Sequence, residues 1–290
     1  MNNHSICFCM CVRNVEKDIL QVLKKINELS HQSKGPNHLI IYTNDNTDNT
    51  LELLKSFEFD FIDDYHLITE EGLMENGRGH IWPDNHEIIA RGKNHIMAKA
   101  CEIDSWEYMV MLEGTSLNYE ISGFSEVLND SDNWDYVSAF QDIYYDYFNL
   151  ITKDYGYNLC NYSTIGEICE PEIDNYGGTI GTPRTLKFSN YTLLKRFKNL
   201  TTALSLEDLE ATDYHEVISA YGGLCIFKKE LIEYAITNGV EFSIENSTNT
   251  QKSEKIYEMI PFLRALPFRK YISTKLRNGP WPRLSENLVR

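Results

Sequence analysis

Short apolar runs alternate with amphipathic segments along the first half of the chain. The runs that predict buried strands are Ile6–Val12, 39–42, 59–62 and 108–112. Apolar residues at helical spacing predict helices that end near Leu29, begin near Leu51 and cover 88–101, whereas the polar segment 63–85 is predicted to be a long loop. The strand-helix order predicts an α/β fold with a mostly parallel central sheet and helices on both faces.

The second half of the chain is patterned less regularly. Strands are predicted at 134–140 and 224–227, and helices at 228–235 and from residue 257 onward. Residues 160–189 are rich in glycine, proline and polar residues, so they are predicted to run over the surface. The basic and aromatic C-terminal tail, 268–281, is interpreted as a solvated helix end. The alternative is that it contacts a membrane surface or an acceptor.

Glu113 directly follows the apolar run 108–112. In open α/β sheets, ligands bind at the carboxyl ends of the strands, so an acid at this position is a candidate for chemistry. The alternative interpretation is an ordinary acidic surface loop, since loops between elements are usually exposed.

Composition favours a globular protein over a nucleic-acid-binding or membrane-spanning one. The chain has 290 residues, 42% of them hydrophobic and 24% charged, which is ordinary for a soluble globular protein. Its net charge of −16 argues against binding nucleic acid, which requires clustered lysine and arginine. No apolar run approaches the roughly 20 residues of a membrane span, so no transmembrane segment is predicted.

The cysteines and the N-terminus predict the compartment. Cys7, Cys9 and Cys11 alternate along the first strand, and paired C-x-x-C motifs are absent, so buried thiols are favoured over a metal site. The first run lacks the basic segment and cleavage site of a signal peptide. We therefore expect a cytoplasmic protein.

A series of short motifs follows the predicted strands. They are Val12-Arg13-Asn14 with Glu16 beyond, the turn from Tyr42 to Thr50, Arg91-Gly92-Lys93-Asn94, Glu113-Gly114-Thr115, Trp134-Asp135 with Tyr144-Tyr145-Asp146, and Tyr221-Gly222-Gly223. In this order they resemble the nucleotide-sugar glycosyltransferases of the GT-A fold, and among them the capsule-associated mannosyltransferase-like branch. The resemblance extends from Ile6 to about Leu266.

The resemblance implies a domain plan and a function. It implies one glycosyltransferase domain, with a nucleotide-sugar-binding half at 1–120, an acceptor-side half with a smaller β region at 121–266, and the basic tail at 267–290. A sugar is expected to pass from a UDP- or GDP-sugar donor to a glycan, a glycoprotein or another hydroxyl acceptor. The sequence leaves open whether the anomeric configuration is inverted or retained.

The resemblance also assigns site residues. Those implied to bind the donor are Val12, Arg13, Asn14, Thr43, Asn44, Asp45, Arg91, Asn94, Glu113, Gly114 and Thr115. Those implied on the acceptor side are Tyr144, Tyr145, Gly222 and Gly223. Plain core packing for the tyrosines and a tight turn for the glycines are the alternatives. An inverting enzyme requires a general base, for which Asp142, Asp146 and Glu245 are the candidates.

The implied metal site departs from the family pattern. The family binds Mn²⁺ or Mg²⁺ through an Asp-x-Asp motif, and the bound cation neutralises the charge of the leaving diphosphate. Here Glu113 and Thr115 stand in those places, so Glu113 would bind the ion with Glu245 or water. The alternative is a site without metal, in which cations carry the diphosphate charge. The candidate cations are Arg91, Lys93, Lys275 and Arg277.

Two other functions compete with the transferase. The altered motif at Glu113 favours a catalytically inactive relative that binds carbohydrate or a partner. Retained family residues oppose it, namely Arg13, Arg91, Asn94 and Tyr221-Gly222-Gly223. A nucleotidyltransferase is the weakest alternative, because the segment after the first strand lacks a glycine-rich phosphate loop.

Overall fold

The structure is a computed structural model and describes residues 3–73, 84–114, 121–140, 151–152, 212–246, 255–256 and 258–278. The strands are β1 Ile6–Val12, β2 Asn37–Asn44, β3 Asp64–Glu70, β4 Tyr108–Glu113, β5 Ile121–Ser122, β6 Tyr136–Phe140, β7 Ile151–Thr152, β8 Tyr214–Ser219, β9 Leu224–Lys228, β10 Glu245–Asn246, β11 Lys255–Ile256 and β12 Lys270–Asn278. The helices are α1 Ile19–Ser30, α2 Thr50–Ser56, α3 Asp84–Cys101, α4 Phe124–Asn129, α5 Lys229–Thr237 and α6 Met259–Ala265, with a 3₁₀ turn at Ser131–Asn133.

The first half of the chain forms the parallel part of the sheet. Strands β3, β2, β1 and β4 lie side by side in that order and run parallel. The helices α1, α2 and α3 connect them in chain order. The predicted α/β fold, with strand-helix alternation and a sheet flanked by helices, is confirmed.

The second half of the chain extends the same sheet. Within the described residues the main sheet has ten strands, and after β4 the order continues β9, β6, β12, β8 and β7, with β5 beside β12. β9 is antiparallel to both β4 and β6, whereas β12 is parallel to β6. β10 and β11 form a separate two-stranded ladder. None of the helices in the described part of the chain has the length and apolar character needed to cross a bilayer.

Alternating side chains bury both faces of the sheet. On β1, Phe8 and Met10 belong to the core beneath α1, α2 and α4, whereas Cys7 and Cys9 belong to the core beneath α3, α5 and α6. Cys7 and Cys9 are fully buried free thiols, as the sequence predicted.

Two sequence predictions about strands are wrong. Residues 59–62 are not a strand: Phe59 and Ile62 pack against the core from a loop, and β3 begins at Asp64 within the segment predicted as a long loop. β3 is the edge strand of the sheet and is only partly buried, so it tolerates polar residues. Because of those polar residues, the sequence pattern did not predict a strand here.

The basic tail contains a strand, and the solvated helix end predicted for it is wrong. β12 lies between β6 and β8, and its two lysines have polar partners outside the strand. Lys270 donates to the carbonyls of Leu266 and Phe268 just past α6, and Lys275 pairs with Asp130 and Asp213. Local composition therefore indicated a solvated segment where long-range pairing forms a strand.

A substitution of Gly222 by alanine is expected to destabilise the fold by about 2–5 kcal/mol, combining a left-handed backbone with overpacking. Gly222 has φ +58°, and a Cβ there would lie 2.2 Å from the Ala139 carbonyl oxygen. Gly239 is the matched control, because its φ is +65° but a Cβ meets nothing within 4 Å. Urea unfolding should show a loss of only about 1–2 kcal/mol for Gly239→Ala. Equal losses would contradict the close contact at Gly222.

Candidate active site at the carboxyl ends of the parallel strands

The predicted donor-binding residues converge on one edge of the sheet. In the strand registers, Val12 lies opposite Thr43, and Cys11 lies opposite Glu113. The chain leaves β1 toward β2 on one side, while β4 lies on the other, so a topological switch point falls between β1 and β4. Ligands of open α/β sheets bind in the crevice at such a point.

The loops that follow β1 and β2 interlock. The Asn14 backbone N–H donates to Asn46 Oδ1 at 3.0 Å, and the Thr47 N–H donates to Asn14 Oδ1 at 2.8 Å. Asp48 accepts hydrogen bonds from the backbone N–H groups of Thr50, the first residue of α2, and of Glu16. These contacts fix both loops beside the strand ends.

Asp45 anchors the turn that follows β3. Its carboxylate accepts hydrogen bonds from the backbone N–H groups of Gly72, at 2.6 Å, and Leu73, at 3.1 Å. Partial burial alone raises the pKa of Asp45, but hydrogen bonds from Asn44, Gly72 and Leu73 outweigh burial and hold that pKa below its ordinary value. Asp45 is therefore an ionised anchor with a left-handed backbone, φ +41°.

Arg13 and Arg91 both contact groups of the protein itself. Arg13 Nε donates to the Asp45 carbonyl oxygen at 3.3 Å. Arg91 forms a bidentate pair with Glu70, with Nε and Nη2 at 2.8 and 2.6 Å from its carboxylate oxygens. Tyr42 donates its hydroxyl hydrogen to the same carboxylate at 2.5 Å. The charge of Arg91, a candidate to hold the donor diphosphate, is thus balanced by Glu70.

The Glu70 pair predicts a defined pH dependence of stability. Hydrogen bonds from Arg91 lower the pKa of Glu70 from 4.5 to about 2. A lowered folded-state pKa contributes stability above the unfolded pKa, and this contribution is lost as the pH falls through the folded value. The difference in unfolding free energy between wild type and Glu70→Gln should therefore be constant above about pH 5 and shrink toward pH 2. A difference that persists undiminished near pH 2 would count against the ion pair.

Asn94 clamps a loop, although the resemblance implies that it binds the donor. Its side-chain amide donates to the Phe242 carbonyl oxygen at 2.9 Å and accepts from the Phe242 N–H at 2.8 Å. The clamped segment 242–244 and α3 line an open cleft of about 390 Å³. Glu245, a candidate base, follows this segment and pairs with Ile256 in the β10–β11 ladder.

Glu113 ends β4 at the switch point and is half-buried. Its backbone N–H donates to the Gly223 carbonyl oxygen at 2.9 Å, so the predicted Tyr221-Gly222-Gly223 element does lie beside it. Burial raises the pKa of Glu113 to about 7, with the charge of Lys93 opposing the rise and that of Glu258 adding to it. A carboxyl with such a pKa exchanges protons near neutral pH, which is typical of functional sites.

Lys93 is buried rather than presented to a ligand. It is 5% exposed, and its Nζ donates to Glu258 Oε1 at 2.9 Å. The other oxygen of Glu258 lies 3.2 Å from His86 Nδ1. Sequence reasoning missed Glu258 and His86. The signal for a missing partner was Lys93 itself, which lies on the same helical face as the apolar Ile96, Met97 and Ala100.

The described residues supply one carboxylate of the implied metal site, Glu113, whereas Thr115 and the side chain of Glu245 lie outside them. Within the described ranges, no group of three histidine, cysteine, aspartate or glutamate side chains is placed to hold a metal. Glu113 instead shares its surroundings with the Lys93 cation. Of the other candidate cations, Lys275 pairs with Asp130 and Asp213, and Arg277 lies over the Phe140 ring at 5.7 Å. Thr115, Asp142, Tyr144, Tyr145 and Asp146 lie outside the described residues.

Comparison with known proteins gives only distant likenesses. No protein-family model matches the sequence, and no curated protein matches it either. Among solved structures, S. aureus TarS has a TM-score of 0.42 at 9% identity, covering 94% of this chain and 36% of TarS. Mannosyl-3-phosphoglycerate synthase from Rubrobacter xylanophilus has a TM-score of 0.35 at 12% identity, covering 79% of this chain and 55% of the synthase.

A further solved structure matches over its full length. It is the nucleoside-diphosphate-sugar pyrophosphorylase from Vibrio cholerae RC9, with a TM-score of 0.42 at 11% identity, covering 98% of this chain and 100% of that one. By contrast, this chain spans about a third of TarS and about half of the synthase.

Proposed function

We propose that this chain is a glycosyltransferase of the GT-A type that uses a nucleotide-sugar donor. The observation that carries the proposal is the convergence of Val12, Thr43 and Glu113 at the switch point of the parallel sheet, with the Gly222-Gly223 turn against Glu113. A crevice at the carboxyl ends of parallel strands is where this architecture binds nucleotides. The ordered sequence motifs support the same function.

Glu113 is the group we propose to meet the reacting part of the donor. It stands at the end of a rigid, fully paired strand, which is the placement that holds a reactive group to a fixed geometry. A UDP- or GDP-sugar as donor, a glycan or glycoprotein as acceptor, and a cytoplasmic location remain part of the proposal. Mn²⁺ or Mg²⁺ is implied by the resemblance, but we assign it no step, because the described residues supply only Glu113 of the implied ligands.

A catalytically inactive carbohydrate- or partner-binding protein is the second candidate. The observation that favours it is that Arg91 and Asn94, both implied to bind the donor, are engaged by Glu70 and by the Phe242 backbone. Such a protein would bind sugars or nucleotides without turning them over.

The test measures first the binding of nucleotide-sugar donors and then their turnover. Thermal shift and calorimetry with UDP-, GDP-, CMP- and dTDP-sugars, each with and without Mn²⁺, should identify one nucleotide that raises the melting temperature by mass action. Glu113→Gln should diminish this response, whereas Glu102→Gln, on the exposed turn after α3, should not. Release of nucleotide from the bound donor supports the transferase. Binding without release favours the inactive candidate, and no binding of any donor overturns the proposal.

A further inference from the structure

The buried pair of Lys93 and Glu258 calls for an explanation beyond stability. Both residues are at most 5% exposed, and their charged groups lie 2.9 Å apart. Removing two charges from water costs about as much as their attraction returns, so apolar residues of similar volume stabilise a core equally well. The pair is therefore better explained by what its geometry orients.

The Lys93 ammonium group lies over the ring of Tyr221, the residue before the glycine turn beside Glu113. It lies 4.8 Å from the centroid of the Tyr221 ring and 5.4 Å from that of Phe242. A cation over an aromatic face is attracted by the ring, and this attraction strengthens where water is excluded. Glu258, the residue before α6, holds the ammonium group, so the Tyr221 ring is fixed against α3.

The position of Tyr221 determines where the following turn begins. Gly222 and Gly223 both have positive φ, at +58° and +72°. The Gly222 carbonyl oxygen accepts a hydrogen bond from Asn278 Nδ2, and the Gly223 carbonyl oxygen accepts one from the Glu113 N–H, each at 2.9 Å. A continuous set of contacts thus runs from Lys93 through Tyr221 and the glycine turn to the backbone of Glu113.

We propose that Lys93, held by Glu258, is a positioning residue that acts through the Tyr221 ring to fix the backbone of Glu113 at the strand end. Its relevance to catalysis rests on the proposed function, whereas the coupling between Lys93 and Glu113 does not. Lys93 itself does not contact substrate in this proposal.

Hydrogen exchange of the Glu113 amide, measured by NMR, tests the coupling directly. Tyr221→Leu, which removes the ring face, should speed exchange at Glu113 by about tenfold or more through local opening. Tyr221→Phe keeps the face and should restore slow exchange to within about twofold of wild type. The Phe8 amide of β1, in the same sheet, should be unchanged in both variants, which separates a local effect from global destabilisation.

A charge-free pair tests the role of Lys93. Lys93→Met/Glu258→Met should speed Glu113 exchange as Tyr221→Leu does. Lys99→Met/Glu102→Met, which removes an exposed pair at the C-terminal end of α3, should not. If Tyr221→Leu and Lys93→Met/Glu258→Met both leave Glu113 exchange within about twofold of wild type, the proposal is overturned.

The same variants separate this proposal from the proposed function. If a nucleotide-sugar is turned over, Tyr221→Leu should reduce kcat more than it raises the donor KM, and Tyr221→Phe should rescue kcat. If exchange at Glu113 responds as expected while wild type binds no donor, the positioning holds and the proposed function fails. A kcat unchanged in Tyr221→Leu would overturn the catalytic relevance of the positioning.

Discussion

Replacement of Glu258 by alanine is expected to lower the free energy of unfolding by about 3–5 kcal/mol. The change leaves the Lys93 ammonium group buried without its carboxylate, and also removes the partner of His86 Nδ1. The cost of an unpaired buried charge exceeds that of a lost surface contact several-fold. Urea unfolding monitored by circular dichroism measures the difference.

Two controls for Glu258→Ala separate the effect of burial from the loss of an ion pair. Glu102→Ala breaks the exposed pair with Lys99 and should cost at most about 1 kcal/mol. Lys93→Met/Glu258→Met removes both buried charges and should recover most of the stability lost in Glu258→Ala. A loss of under about 1 kcal/mol in Glu258→Ala would show that the Lys93 charge is hydrated in the folded protein.

The stability that the Lys93–Glu258 pair contributes is expected to fall at acidic pH. Although burial alone would raise the pKa of Glu258, the charge of Lys93 and the hydrogen bonds from His86 and Lys93 lower it well below its ordinary value. The pair therefore contributes its stability above the ordinary pKa of a glutamate, and that stability is lost as the pH falls below it.

The strands that could be predicted from sequence are those with local signals. β1 and β4 are buried on both faces, so nearly every residue in them is apolar and the pattern is unambiguous. β3 and β12 carry polar or charged residues, because β3 lies at the sheet edge and Lys270 of β12 finds partners just past α6. A strand made by long-range pairing leaves little trace in its own composition.

The candidate site also contains some residues that the sequence could place together and some contacts that it could not. Val12, Thr43 and Glu113 could be placed together because the ends of neighbouring parallel strands meet at one edge. The Lys93–Glu258 contact joins residues 165 positions apart, and no periodic pattern encodes such a pairing. For the same reason the sequence showed no sign of the contact between Asn94 and the Phe242 backbone, and the donor-binding role that the resemblance implies for Asn94 stays a prediction.

Replacement of Glu113 by glutamine is expected to stabilise the protein at alkaline pH. Burial raises the pKa of Glu113 from 4.5 to about 7, so this carboxyl lowers the stability of the folded state progressively as the pH rises from about 4.5, and the loss is complete above about pH 7. Glu113→Gln removes the charge and should gain up to about 3 kcal/mol near pH 8, with the gain vanishing near pH 4. Unfolding free energies at the two pH values test this, and an unchanged gain at both would contradict the raised pKa.

The same substitution is expected to abolish the proposed reaction. If Glu113 meets the reacting part of the donor, Glu113→Gln should lower the rate of sugar transfer by at least about 100-fold, because an amide cannot take up a proton or supply a negative charge. Glu113→Asp retains the charge but withdraws it by one methylene, so an intermediate loss is expected. A variant that is more stable yet inactive is the signature of a residue kept for chemistry at the expense of stability. A Glu113→Gln protein with full transfer activity would instead make Glu113 a packing residue and move the reaction to the candidate bases Asp142, Asp146 and Glu245.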